Sequence, residues 1–146
     1  MAVVGTVTLT ASPVPGSDGV TEYSLAWTSD AAGNVSGNSL TFLPGSVVVV
    51  EFIPSASAAP TDLYDVDFKD ASGTSMFDDG AGASIGANLS ATLATHRAPF
   101  INGAATTYVR AWLQGAAGGN FYQLTVANAG AAKSGQVNIF VSSRTL

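Results

Sequence analysis

With 146 residues and a mass of 14.6 kDa, the chain has the length of one domain, enough to hide roughly 70% of its unfolded surface in a single core. Charged residues make up only 10%, against a usual share of about 25%, while 47% are hydrophobic. With 16 Gly, 6 Pro, a mean hydropathy of +0.31, a net charge of −5 and a pI of about 4.3, a disordered acidic tail, a coiled coil and a basic nucleic-acid binder are excluded.

In chain order, Val3, Val7 and Leu9 alternate with Thr6, Thr8 and Thr10 and predict a first strand, closed by Ser12-Pro13 and Pro15-Gly16. Tyr23, Leu25 and Trp27 alternate with Ser24, Ala26 and Thr28, the period of two expected of a half-buried strand. A turn at Ser29 to Asn34 follows, then a less regular strand from Val35 to Phe42 and a corner at Pro44-Gly45. Val47 to Ile53 is dense in β-branched residues and predicts a central strand buried on both faces. Ser55 to Pro60 is a small-residue connection long enough to cross between sheets.

Leu63 to Lys69 sets Tyr64, Val66 and Phe68 against Asp65, Asp67 and Lys69. The turn Asp70-Ala71-Ser72-Gly73 predicts a hairpin into Thr74 to Phe77. Asp78 to Ala83 and Thr92 to Ala105 read as loops, and Ala87 to Arg97 as loop or short strand, because it lacks an apolar stripe at helical spacing. Tyr108 to Gln114 and Phe121 to Ala127 flank a Gly-rich tip and predict a second hairpin. Gln136 to Val141 closes the chain with alternating Val137, Ile139 and Val141. The expectation is one all-β domain over 1–146, an antiparallel β-sandwich of eight or nine strands with the jelly roll among its forms. Residues 1–20, broken by Pro13, Pro15, Gly16 and Gly19, form either an N-terminal arm that orders on assembly or an edge strand.

Cysteine is absent, which removes disulfides, thiolate nucleophiles and Cys-ligated metal centres. Met1 to Gly5 has neither the basic nor the apolar region of a secretory signal, and Val47 to Ile53 is far short of the roughly 20 residues of a spanning helix. Synthesis in the cytoplasm and no membrane partner are the expectation. Every acidic residue lies between Asp18 and Asp79, where Lys69 is the only base, so that part sums to −9. Residues 80–146 carry Arg97, Arg110, Lys133 and Arg144 and sum to +4. Interleaved strands would mix these charges within one monomer; alternatively, opposite faces meet between copies.

Motifs that carry chemistry are few. Gly82-Ala83-Ser84-Ile85-Gly86 has the spacing of a nucleophile elbow, yet no acid follows Ser84 and no helix is expected after it. His96, the only His, would have to hold a metal with carboxylates alone, an uncommon set, and reads as a loop residue beside Arg97. Asp65 and Asp67 on one strand face, with Asp62, Asp70 and the pair Asp78-Asp79, form the one acidic cluster. Its spacing does not fit an EF-hand, and the solvated face of a hairpin explains it more simply than a calcium ion. The aromatics Tyr23, Trp27, Tyr64, Phe68, Trp112, Phe121, Tyr122 and Phe140 suit a core, with a sugar-stacking platform as the functional alternative. Asn34-Val35-Ser36 and Asn88-Leu89-Ser90 match glycosylation sequons but have no secretory signal to make them meaningful. No catalytic, cofactor or metal residue is assigned.

Three segments resemble small accessory virion proteins of tailed bacteriophages: Leu25-Ala26-Trp27-Thr28-Ser29-Asp30-Ala31-Ala32-Gly33-Asn34-Val35, Tyr64-Asp65-Val66-Asp67-Phe68 with Asp70 and Gly73, and Leu124 through Asn128-Ala129-Gly130 to Gly135-Gln136-Val137-Asn138-Ile139-Phe140. They span residues 25 to 141 and contain strand and turn patterns with no catalytic signature. The resemblance implies a non-enzymatic β-sandwich subunit on the virion, a capsid decoration (cement) protein that binds the major capsid protein in many copies, self-associates as a homo-oligomer, often a trimer, and needs no cofactor or nucleic acid. A carbohydrate- or receptor-binding module of a tail or baseplate is the alternative. Low charge suits the capsid reading, because flat surfaces then meet with little desolvation cost.

Overall fold

The computed structural model describes residues 3–73, 75, 87–97, 100–104, 107–110, 112–113 and 121–143. Among them there is no helix, and every strand pairing is antiparallel. The strands are β1 (Thr6–Pro13), β2 (Val20–Thr28), β3 (Gly45–Pro54), β4 (Tyr64–Lys69), β5 (Ala87–Leu89), β6 (Thr95–Arg97), β7 (Phe100–Ala104), β8 (Thr107–Arg110), β9 (Trp112–Leu113), β10 (Gln123–Ala127) and β11 (Ser134–Ser142). The largest sheet runs β1-β2-β11-β3-β6, with β9 also on β3; a second runs β10-β4-β5, and β7 pairs with β8.

The large sheet is closed by the last strand. β11 inserts between β2 and β3, pairing Val137 with Leu25 on one side and Phe52 on the other. Period two decides which side chains go inward: Tyr23, Leu25, Trp27, Val137, Ile139, Val50 and Phe52 are all buried. Val47 to Ile53 is central as its composition predicts, but only one face is fully buried; Val48, Val49, Glu51 and Ile53 are half-buried. A bulge explains why Val47 and Val50, three apart, both point inward. Phe140 stands opposite Val49 and Val141 opposite Val47, leaving Val48 as the extra residue that resets the alternation.

The two larger sheets share one apolar core. Tyr64 of β4 packs against Trp27 of β2, with ring centroids 5.8 Å apart. Phe42, from the connection before β3, meets Tyr23, Phe68 and Tyr122 edge-on, and Phe68 stacks on Tyr122 at 5.3 Å. The inward side of β10 (Leu124, Val126) lies in register with Phe68 and Val66 of β4.

Several sequence expectations are corrected. Phe121 to Ala127 does not form a hairpin with Tyr108 to Gln114. β10 pairs with β4, β8 with β7 and β9 with β3, because Leu124 and Val126 complete the inner face beside Val66 and Phe68. Thr92 to Ala105 contains β7 where a loop was expected, while β5 and β6 are the short strands allowed for in Ala87 to Arg97; main-chain pairing to β3, β4 and β8 forms them without an alternating signature. Val35 to Phe42 makes isolated bridges, at Val35–Val126 on β10 and at Leu40–Tyr122 just before it. Between those bridges a side chain replaces backbone. The Asn38 amide donates to the Leu124 carbonyl (2.7 Å) and accepts from its N–H (2.9 Å), as a peptide group in a neighbouring strand would.

Candidate functional site

Three places gather polar groups. The first is the acidic turn. Asp70 Oδ1 accepts the Ser72 N–H (2.9 Å) and hydroxyl (2.6 Å), which shapes the turn closed by the Gly73 N–H on the Asp70 carbonyl. Asp62 accepts the Ala91 N–H at 3.0 Å, and Asp65 accepts the Asn128 side-chain amide at 2.7 Å. Asp67 departs from the expectation of a solvated face: it is only 6% exposed. Its Oδ1 accepts the Phe68 N–H (2.8 Å) and the Ser75 hydroxyl (2.6 Å), and the Lys69 ammonium lies 3.8 Å from Oδ2. These carboxylates are engaged in different local tasks. Among the described residues no three His or acidic side chains converge as metal ligands. Asp78, Asp79 and the Gly82–Gly86 segment with Ser84 lie outside the described residues.

The second place is a knot of loops at the end of the large sheet where β2 gives way to Ser29. The buried Ser29 hydroxyl donates to the Gly130 carbonyl (2.6 Å) and accepts the Lys133 N–H (2.9 Å), while its own N–H reaches the Lys133 carbonyl. Asp30 Oδ1 accepts the N–H groups of Ala32 and Asn34, both at 2.9 Å. Gly33 has φ +85°, and a Cβ there would lie 2.7 Å from the Gly130 nitrogen. The segments 29–34 and 128–133 are thus interlocked across about 100 positions of sequence, with Thr61 joining through the Ala129 carbonyl.

The third place is the outward face of the large sheet, which carries an open cleft. Strand register aligns Thr8, Ala26, Gln136 and Ile53 in one row and Thr10, Ser24, Asn138, Glu51 and His96 in the next. The Gln136 amide donates to Asn138 Oδ1 (2.7 Å), and the Asn138 amide donates to Glu51 Oε2 (3.1 Å). Asn138 is buried at 5% exposure, and with Gln136 and Glu51 it forms a hydrogen-bonded polar seam. Beside it lies a cleft of about 610 Å³ walled by Thr6, Thr8, Thr28, Ile53, Ser55 and Gln136. Among the described residues no acid, base or histidine lines it. Hydroxyls, one amide and methyl groups can hold an extended chain or another flat surface.

The aromatic platform finds little support. Tyr23, Trp27, Tyr64, Phe68 and Tyr122 are in the core, and burial raises the Tyr64 phenol from its usual value to about 12. Phe121 is 45% exposed and Phe140 half-buried. His96 and Arg97 lie on β6 and Trp112 on β9, with their side chains outside the described set. Sequence reasoning missed Asn38, Ser29 and Asn138. Polar residues in strand or turn contexts read as solvated, and only the approach of distant backbone shows what they satisfy.

No protein-family model matches the chain, and no curated protein or solved structure matches it. The assignment of function therefore rests on the geometry and on the residues themselves.

Proposed function

We propose that the chain is a non-enzymatic structural subunit of a tailed-phage virion, a β-sandwich that decorates the head in many copies by binding the major capsid protein. The observation that carries this reading is the outward face of β1, β2 and β11, rich in hydroxyls and, among the described residues, lined by no ionisable group at its cleft. Such a surface loses little solvation when covered, and weak contacts repeated over a lattice add up. The knot supports it further. The segments 25–35 and 124–140, which carry the resemblance to phage accessory proteins, are held together in space by Ser29 and Gly130.

Cosedimentation with heads lacking this protein tests the reading. Saturable binding that is lost on introducing Thr8→Lys with Ala26→Lys, at unchanged folding, is expected. Failure to bind any head lattice overturns it. Saturable glycan binding by the free protein would favour a tail or baseplate receptor-binding module instead.

A further inference from the structure

The large sheet ends at β1, and among the described residues no strand pairs with its outer side. Exposed edges are normally blunted by charge, proline, bulges or short length, and of these β1 has only Pro13, its last residue. β1 has eight residues, Thr6-Val7-Thr8-Leu9-Thr10-Ala11-Ser12-Pro13, and carries no charge. Its half-buried Val7 and Leu9 pack against the core at their inner side. We propose that this edge is a pairing surface for a second copy of the same chain, joined antiparallel across a two-fold axis at Leu9.

The register follows from backbone geometry. The Val14 N–H bonds the Val20 carbonyl, so even-numbered positions of β1 turn their amides toward β2 and Val7, Leu9 and Ala11 turn theirs outward. Centred on Leu9, an antiparallel partner sets Leu9 against its own counterpart and Val7 against Ala11 of the second copy, so every outward N–H meets a carbonyl. Centring on Thr10 would oppose Val7 with Pro13, which has no N–H to give. Centring on Thr8 would oppose Ala11 with Gly5, whose φ of +66° breaks the strand. Gly5 and Pro13 therefore limit the open edge to one register.

Side chains agree with that register. On the outward face Thr8 meets Thr10 of the second copy, a favourable cross-strand pair, and no like charges oppose each other within the strand. On the inward face Val7, Leu9 and Ala11 extend the apolar layer. Because each copy uses its β1 edge on its counterpart's, the assembly closes as a dimer and does not continue as a fibre through this edge. Seven paired residues span only about 23 Å, and the area covered is well under the roughly 800 Å² per partner of a standard interface. Association through this edge alone is therefore weak and reaches useful occupancy where copies are concentrated.

The test uses the full chain. Sedimentation equilibrium up to about 1 mM should show a monomer–dimer equilibrium. Thr8→Lys with Thr10→Lys, which sets lysine against lysine across the axis, should weaken it at least about tenfold. Thr8→Lys with Thr10→Glu should restore association, more strongly at low salt. Since the protein has no cysteine, an equimolar mixture of Thr8→Cys and Thr10→Cys chains should form a mixed disulfide, while each variant alone forms little. The opposed Cα atoms would lie about 4.5 Å apart. A strict monomer without the mixed disulfide, a trimer, or equal behaviour of the two charge variants would overturn the proposal.

Discussion

The interior between the sheets and the knot at Ser29 hold the molecule by different physics. The interior is aromatic and shape-driven: Trp27, Tyr64, Phe42, Phe68 and Tyr122 fill space, and each contributes through many small contacts. The knot contains little apolar mass. It is held by hydrogen bonds from Ser29 and Asp30 and by backbone at Gly33 and Gly130 that approaches too closely for a side chain. An interior of the first kind loses stability in proportion to removed volume, whereas a stereochemical lock fails on adding a single carbon.

The largest expected effect tests the first half of that contrast. Trp27→Ala removes the biggest fully buried side chain among the described residues, which rests on Gly135 and Tyr64, and should cost about 3–5 kcal/mol by the shift in denaturant midpoint. Gly33→Ala tests the second half. One methyl group at φ +85° against the Gly130 nitrogen should cost about 2–3 kcal/mol, an outcome that no change in buried volume would explain. Ser29→Ala keeps the backbone and removes only the hydroxyl between Gly130 and Lys133, so about 1–2 kcal/mol is expected. If Gly33→Ala proves neutral, the knot is looser than the interior and the contrast collapses.

The smallest effect concerns pH. Burial raises Tyr64 to about 12, so the folded state holds its phenolic proton more tightly than the unfolded chain, where the ordinary value near 10 applies. That contribution to stability is complete below pH 10 and is lost as pH rises from about 10 to about 12. Phenolate absorbance in the native protein should show one tyrosine titrating late, and Tyr64→Phe should remove that component. A tyrosine spectrum with no such component would place Tyr64 nearer to solvent.

Much of the fold was legible because period two is written plainly in β2, β4 and β11. Tyr23-Leu25-Trp27 and Val137-Ile139-Val141 are inward as their alternation requires. The strand at Val47 to Ile53 was legible as central, but its bulge at Val48 was not, since a bulge is defined against a partner strand. The β7 segment read as a loop, and the β6 segment as loop or short strand, because short strands paired through the main chain need no particular side chains. Asp67 read as solvated for the same kind of reason: its burial depends on Ser75 and Lys69 closing over it. Of the outward face, the run of threonines was visible. Its cleft, and the seam from Gln136 through Asn138 to Glu51, were not.

Composition and local alternation by themselves determined that this is a β protein without cysteine, with few charges and with inward and outward sides assigned strand by strand. They could do so because side-chain direction in a strand depends only on neighbours one and two residues away. Which strands lie side by side was decided by the tertiary structure alone. β11 between β2 and β3, β10 on β4, and Ser29 locked to Gly130 all join segments far apart in the chain, and such pairings are selected by the fit of whole faces after the chain has closed on itself.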